Sequence, residues 1–130
     1  MDAFRYELDF AEIWLAIRNG IETLIDRNGI SCAEIILTTA MHSIQLLDED
    51  FQLSGPLLVW SDKRGADIVE QSSISELERK YLITGTPNHS MNPFYKLKSL
   101  QNELTDKFIG SLKDLIFYHL TGKWTIDVAS

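Results

Sequence analysis

Ile30-Ser31-Cys32-Ala33-Glu34-Ile35-Ile36-Leu37-Thr38-Thr39-Ala40-Met41-His42-Ser43-Ile44-Gln45-Leu46-Leu47 is the stretch whose reading decides the fold. Ser31 stands as a helix N-cap and Glu34 completes a capping box with it. Ile30 and Ile35 sit where a hydrophobic staple puts them. On those start signals residues 32–47 form a helix, with Ile36, Ala40, Ile44 and Leu47 along one face. The competing signal is Ile35–Thr39, which is rich in β-formers and suits a buried strand. The caps favour the helix.

On the N-terminal side, Phe10, Ile13, Trp14, Ile17, Ile21, Leu24 and Ile25 recur at spacings of three and four, which predicts a helix over 10–28. Asp9 and Glu12 have capping-box spacing, and Asn28-Gly29 supplies a left-handed stop. Before it, Phe4 to Leu8 alternates apolar and polar, as a short strand over 3–8 would.

On the C-terminal side, Asp48-Glu49-Asp50 reads as a polar stop. Pro56 to Ser61 predicts a strand over 57–61, and Asp62-Lys63-Arg64-Gly65 has turn chemistry with a glycine free to take positive φ. Residues 66–70 then read as the return strand. Ser73 and Glu76 form another capping box, opening a helix over 74–82. Residues 85–93 are the clearest loop. Asn92-Pro93 starts a helix whose apolar period, Leu97, Leu100, Leu104, Phe108, Leu112, Leu115, His119, runs over 93–121 to Gly122. Trp124, Ile126 and Val128 alternate as a strand over 124–128. The expected fold is α+β: helices packed on a small, mostly antiparallel sheet, in one domain over 1–130.

The 130 residues are 45% hydrophobic and 24% charged, an ordinary globular composition. The net charge is −7. All of it lies in residues 1–50, where three arginines face ten acids; residues 51–130 carry nine charges of each sign. Direct nucleic-acid binding is therefore not expected, and the lysines of the C-terminal half are balanced by neighbouring acids. No run is long and apolar enough to span a bilayer, and the first residues lack the features of a secretory signal. Cys32 is the single cysteine, so no internal disulfide forms, and a reducing, cytoplasmic location is expected.

Catalytic signatures are sparse. His42, His89 and His119 are far apart and lack metal-site spacing, so no metal is expected. Cys32 at a helix start has the setting of an activated thiol, yet a lone cysteine is more often a small buried hydrophobe. Phosphate-binding glycine loops and the Gly-x-Ser-x-Gly elbow are missing, and no cofactor or catalytic residue is assigned. Asp48, Glu49 and Asp50 fall at a helix end that prefers cations. With Asp62 and Trp60 they form a candidate partner-binding corner. The leading expectation is a non-enzymatic, acidic protein-interaction module, such as an inhibitor or an immunity- or antitoxin-type protein that neutralises a basic protein partner. The first alternative is a small ligand-binding or enzymatic domain with its site near the 85–93 loop and His89. The second is a structural homo-oligomer subunit.

Overall fold

Asp9 turns the chain into its first helix. Its Oδ1 accepts from the Ala11 amide at 2.7 Å, and Gly29 ends the helix at φ 60°. In this computed structural model, which describes residues 4–29, 31 and 34–126, that helix is α1 (Phe10–Asn28), as its apolar stripe predicts. It follows a two-residue strand, β1 (Glu7–Leu8), the described remnant of the expected strand 3–8.

Residues 34–47 are not helical. Residues 34–40 run without regular structure, and the chain then enters β2 (Ile44–Leu47). Ile30, Cys32 and Ala33 lie outside the described residues, so the staple and the thiol reading are untouched. All four residues of β2 are buried, a pattern that an amphipathic helix face does not give but a strand covered on both faces does. β2 folds back into β3 (Leu53–Leu58), which starts and ends earlier than the expected 57–61. The sheet order is β1-β3-β2-β4, antiparallel throughout, with β4 at Phe108–Gly110. Pro56 is tolerated inside β3 because β1 pairs only with Leu57 and Leu58, leaving the proline on a free edge. The β2–β3 register shifts between Ile44 and Leu46. Gln45 fills the gap, donating Nε2 to the Gly55 carbonyl at 2.9 Å.

The expected return strand 66–70 is instead α2 (Ala66–Gln71). Gly65 does not use positive φ. A Cβ there would lie 2.6 Å from the Tyr95 carbonyl carbon, so glycine is what allows this turn to press on the next helix layer. α3 (Ile74–Thr84) starts on the expected Ser73–Glu76 capping box. α4 (Pro93–Ser99) starts on Asn92, whose side chain accepts from Phe94. The helix expected over 93–121 is broken by a 3₁₀ turn (Gln101–Glu103) and β4, and resumes as α5 (Leu112–Thr121). The break was legible in Ser111 and Asp114, which form a capping box at the start of α5. Of the strand expected over 124–128, residues 124–126 join no ladder and 127–128 lie outside the described residues.

The sheet carries helices on both faces. Leu47 and Leu57 pack with Phe10 of α1 and Leu115 and Ile116 of α5. On the other face, Ile44, Leu46 and Leu58 pack with Leu100 after α4. The α+β class therefore stands, with the element corrections above. Among the described residues no helix is long and apolar enough to cross a membrane.

Candidate functional site

The β2–β3 hairpin has a closed end and an open end. The expected partner-binding residues divide between them. Asp48, Glu49 and Asp50 sit at the closed end, and Trp60 and Asp62 beyond the open end. The single acidic corner does not form.

Of the acids at the closed end, Asp48 serves the turn. Asp48 Oδ1 accepts from the amides of Asp50 (3.0 Å) and Gln52 (2.8 Å), and its own amide donates to the Gln52 carbonyl. This side-chain mimicry of a backbone turn lets Phe51 sit at φ 59°. Phe51 stacks on Phe108 at 4.5 Å between ring centroids. Three acids in a row looked out of place at a helix end because the element is a strand.

The open end is built from buried charge. Asp62 is fully buried. Its Oδ2 accepts from the Tyr6 amide and from Arg64 Nη2, both at 2.9 Å. Its Oδ1 accepts from Arg64 Nε at 2.8 Å and from the Arg64 amide at 3.2 Å. Burial alone would raise the pKa of this carboxyl. The donors from Arg64 and Tyr6 outweigh that and hold it below the usual carboxylate value. Arg64 reaches on to Glu7 of β1. Asp62 is thus a tie between the N-terminal segment and the sheet, with no free oxygen edge for a partner.

Lys96 of α4 is also fully buried. Its Nζ donates to the His42 carbonyl at 2.8 Å and to the Val59 carbonyl at 2.7 Å, pinning both strand ends of the hairpin. Burial lowers its pKa to about 8, against a smaller opposing pull from Asp62. His42 occupies the left-handed region at φ 66°, a strained conformation for a non-glycine residue. Its pKa is lowered, first by burial and then by the Lys96 charge, so the imidazole is neutral at pH 7. Ser43 beside it accepts from the Leu112 amide at 2.9 Å and anchors the start of α5. Sequence reasoning did not single out Lys96 or His42 as a pair. Their 54-residue separation carries no local signal.

Against this end lies a cavity of about 250 Å³ lined by Tyr6, Trp60, Ser61, Lys63, His89, Ser90 and Met91. Trp60 is 52% exposed. The cavity therefore joins Trp60 to the 85–93 loop and His89, which the sequence had assigned to competing hypotheses. Its lining mixes ring faces, three hydroxyls, an imidazole and one ammonium, on a wall that is mostly apolar. Among the described residues no three His, Cys, Asp or Glu side chains group as metal ligands.

Residues 2–130 match the FGGY family of carbohydrate kinases, N-terminal domain. The chain is 32% identical over 103 residues to a gluconokinase of Bacillus subtilis (strain 168), a match covering 72% of this chain and 19% of that one. It superposes on gluconate kinase from Lactobacillus acidophilus with a TM-score of 0.89 at 28% identity, covering 95% of this chain and 26% of the other. Ligand-bound xylulose kinase from the same organism gives a TM-score of 0.80 at 28% identity, again over 95% and 26%. The chain thus spans about a quarter or less of the relatives it matches. These matches overturn the expectation of an inhibitor, immunity protein or antitoxin, and with it the basic protein partner. Charge placement misled because Asp48 and Asp62 are structural.

Proposed function

We infer that this chain, which belongs to the FGGY family of carbohydrate kinases, supplies the sugar-facing part of an enzyme that transfers a phosphoryl group to a hydroxyl of a gluconate-type sugar acid. One observation carries the reading: the gluconate-phosphorylating relatives are matched both by sequence and by fold. The site chemistry agrees. Phosphoryl transfer depends mostly on positioning and electrostatics, so the acceptor side must read hydroxyls and hold them in line. His42 stands at the same end of the hairpin, outside the cavity lining, and its neutral imidazole has one donor and one acceptor nitrogen, the complement of a sugar hydroxyl. Trp60 offers a flat apolar face, Ser61 and Ser90 offer hydroxyls, and Lys63 offers a charge for a carboxylate. Asp62 is not assigned as a base, since four donors already occupy its oxygens. A reducing, cytoplasmic setting fits this reading.

Lys63 favours a sugar acid over the neutral ketose named for the xylulose kinase. Calorimetric titration of gluconate and xylulose into the protein tests this. Gluconate is expected to bind, with about tenfold weaker binding in His42→Ala, a loss equal to one good hydrogen bond to the ligand. Preference for xylulose would reassign the substrate, and failure to bind either sugar would overturn the reading.

A further inference from the structure

The loop over 85–93 is anchored on both sides of His89. Before it, the Asn88 side chain donates Nδ2 to the Leu77 carbonyl of α3 at 2.7 Å and accepts from the hydroxyl of the buried Tyr95 of α4. After it, Asn92 caps α4 through the Phe94 amide, and its own amide donates to the His89 carbonyl at 2.9 Å. The ring is fixed as well. His89 Nδ1 accepts from the Met91 amide at 3.1 Å. A neutral imidazole carries one N–H, and a nitrogen that accepts a hydrogen bond is not the one that carries it. The proton therefore sits on Nε2, so His89 enters the lining of the cavity as a donor.

Another part of the same wall is held just as firmly. The Val59 carbonyl accepts from the Asp62 amide at 3.0 Å and from Lys96 Nζ at 2.7 Å, closing a turn with Trp60 and Ser61 at its centre. Both turn residues line the cavity, as do Lys63 and His89. Because the wall is mostly apolar, a few fixed polar groups decide which ligand it takes. A hydroxyl both donates and accepts, whereas a carboxylate only accepts, and a hydrogen bond to an ionised acceptor is roughly twice as strong as a neutral one. We propose that His89 is a specificity-determining residue of this site: its Nε2–H, together with the Lys63 ammonium, reads the carboxylate that separates a sugar acid from a neutral sugar. The proposal rests on the sugar-acid reading above and adds to it the loop bond that sets which nitrogen donates.

Nuclear magnetic resonance of the histidine ring nitrogens, with calorimetric titration of gluconate into the 130-residue protein, tests the assignment. The His89 ring should show the Nε2–H tautomer. Gluconate should shift its Nε2 resonance, and glucitol, the same carbon chain with a hydroxymethyl in place of the carboxylate, should leave it in place. Two substitutions separate the donor from the loop bond. His89→Asn keeps an acceptor at the Nδ1 position for the Met91 amide and removes the Nε2 donor. His89→Gln keeps a donor at the Nε2 position and removes the Nδ1 acceptor. Gluconate binding is expected to weaken about tenfold in His89→Asn and no more than about threefold in His89→Gln. Equal losses, or the reverse order, would make His89 a residue that only shapes the loop and would overturn the proposal. So would an Nδ1–H tautomer, an Nε2 resonance that bound gluconate leaves unmoved, or one that glucitol moves as far. Each of those results leaves the sugar-acid reading standing, whereas wild-type protein that binds no gluconate would overturn both.

Discussion

The two ends of the β2–β3 hairpin are both rich in charge, and they spend it differently. At the closed end, the Asp48 carboxylate is bonded within four residues of itself, on the surface. At the open end, Asp62 reaches Tyr6 across 56 residues, and Lys96 reaches His42 and Val59 across 54 and 37. A local carboxylate shapes a turn. A buried, long-range one decides whether separate segments stay together, and an uncompensated charge left there costs far more than a lost surface bond. The number of acids in a stretch therefore says little about its role. What matters is how far away the partners lie.

The sharpest way to break this contrast is Asp62→Ala. It strands the Arg64 guanidinium and the Tyr6 amide in a buried site, and the expected loss is about 3–5 kcal/mol of folding stability by urea denaturation. A loss below 1 kcal/mol would mean that the open end is as loosely tied as the closed one.

Next comes Lys96→Met, which leaves the His42 and Val59 carbonyls without their donor. About 2 kcal/mol of destabilisation is expected at pH 7. The alkaline response carries the sign. Native Lys96 releases its proton near pH 8, while the unfolded lysine keeps it to about 10.5. Between those values the unfolded chain binds more protons, so the contribution of Lys96 to stability rises with pH. The gap between wild type and Lys96→Met should be flat below pH 8 and widen up to pH 10.5. A gap that narrows over that window would refute the burial of a charged ammonium.

Much of this architecture was readable without coordinates. Helix α1 was marked by its stripe and Gly29, α3 by Ser73 with Glu76, and the start of α4 by Asn92-Pro93, because caps act within one turn. The failures were at segments whose state is set from outside. Ser31 and Glu34 have perfect capping spacing, yet residues 34–40 take no regular structure and Ile44–Leu47 form β2, which is stabilised by β3, β4 and helices on both faces. The 93–121 period concealed a break because Leu104 and Phe108 keep helical spacing while Gly110 pairs with Gln45. At the site, Trp60 and Asp62 were grouped with the acidic turn, and the 85–93 loop was kept apart as a competing reading. The contacts that unite them run through Lys96 and Tyr6, whose partners are dozens of residues distant.

At the closed end the expected effects shrink. Asp48→Ala removes two acceptor bonds from an exposed turn and should cost about 1 kcal/mol, the scale of a side-chain cap, read from the same urea curves. It should leave gluconate binding unaltered, because the turn lies at the far end of the hairpin from His42 and Trp60.

Smallest of all is the paired change Glu49→Gln with Asp50→Asn. Neither carboxylate enters a hydrogen bond among the described residues, since Asp50 contributes only its backbone to the turn. Removing two of the acids that once suggested a protein-binding corner should therefore move stability by no more than about 0.5 kcal/mol. Gluconate affinity should stay within about twofold at physiological salt, because exposed charges beyond a Debye length of about 8 Å are largely screened. An affinity change of tenfold would place the acidic turn inside the site's electrostatic reach, and the two ends of the hairpin would have to be treated as one surface.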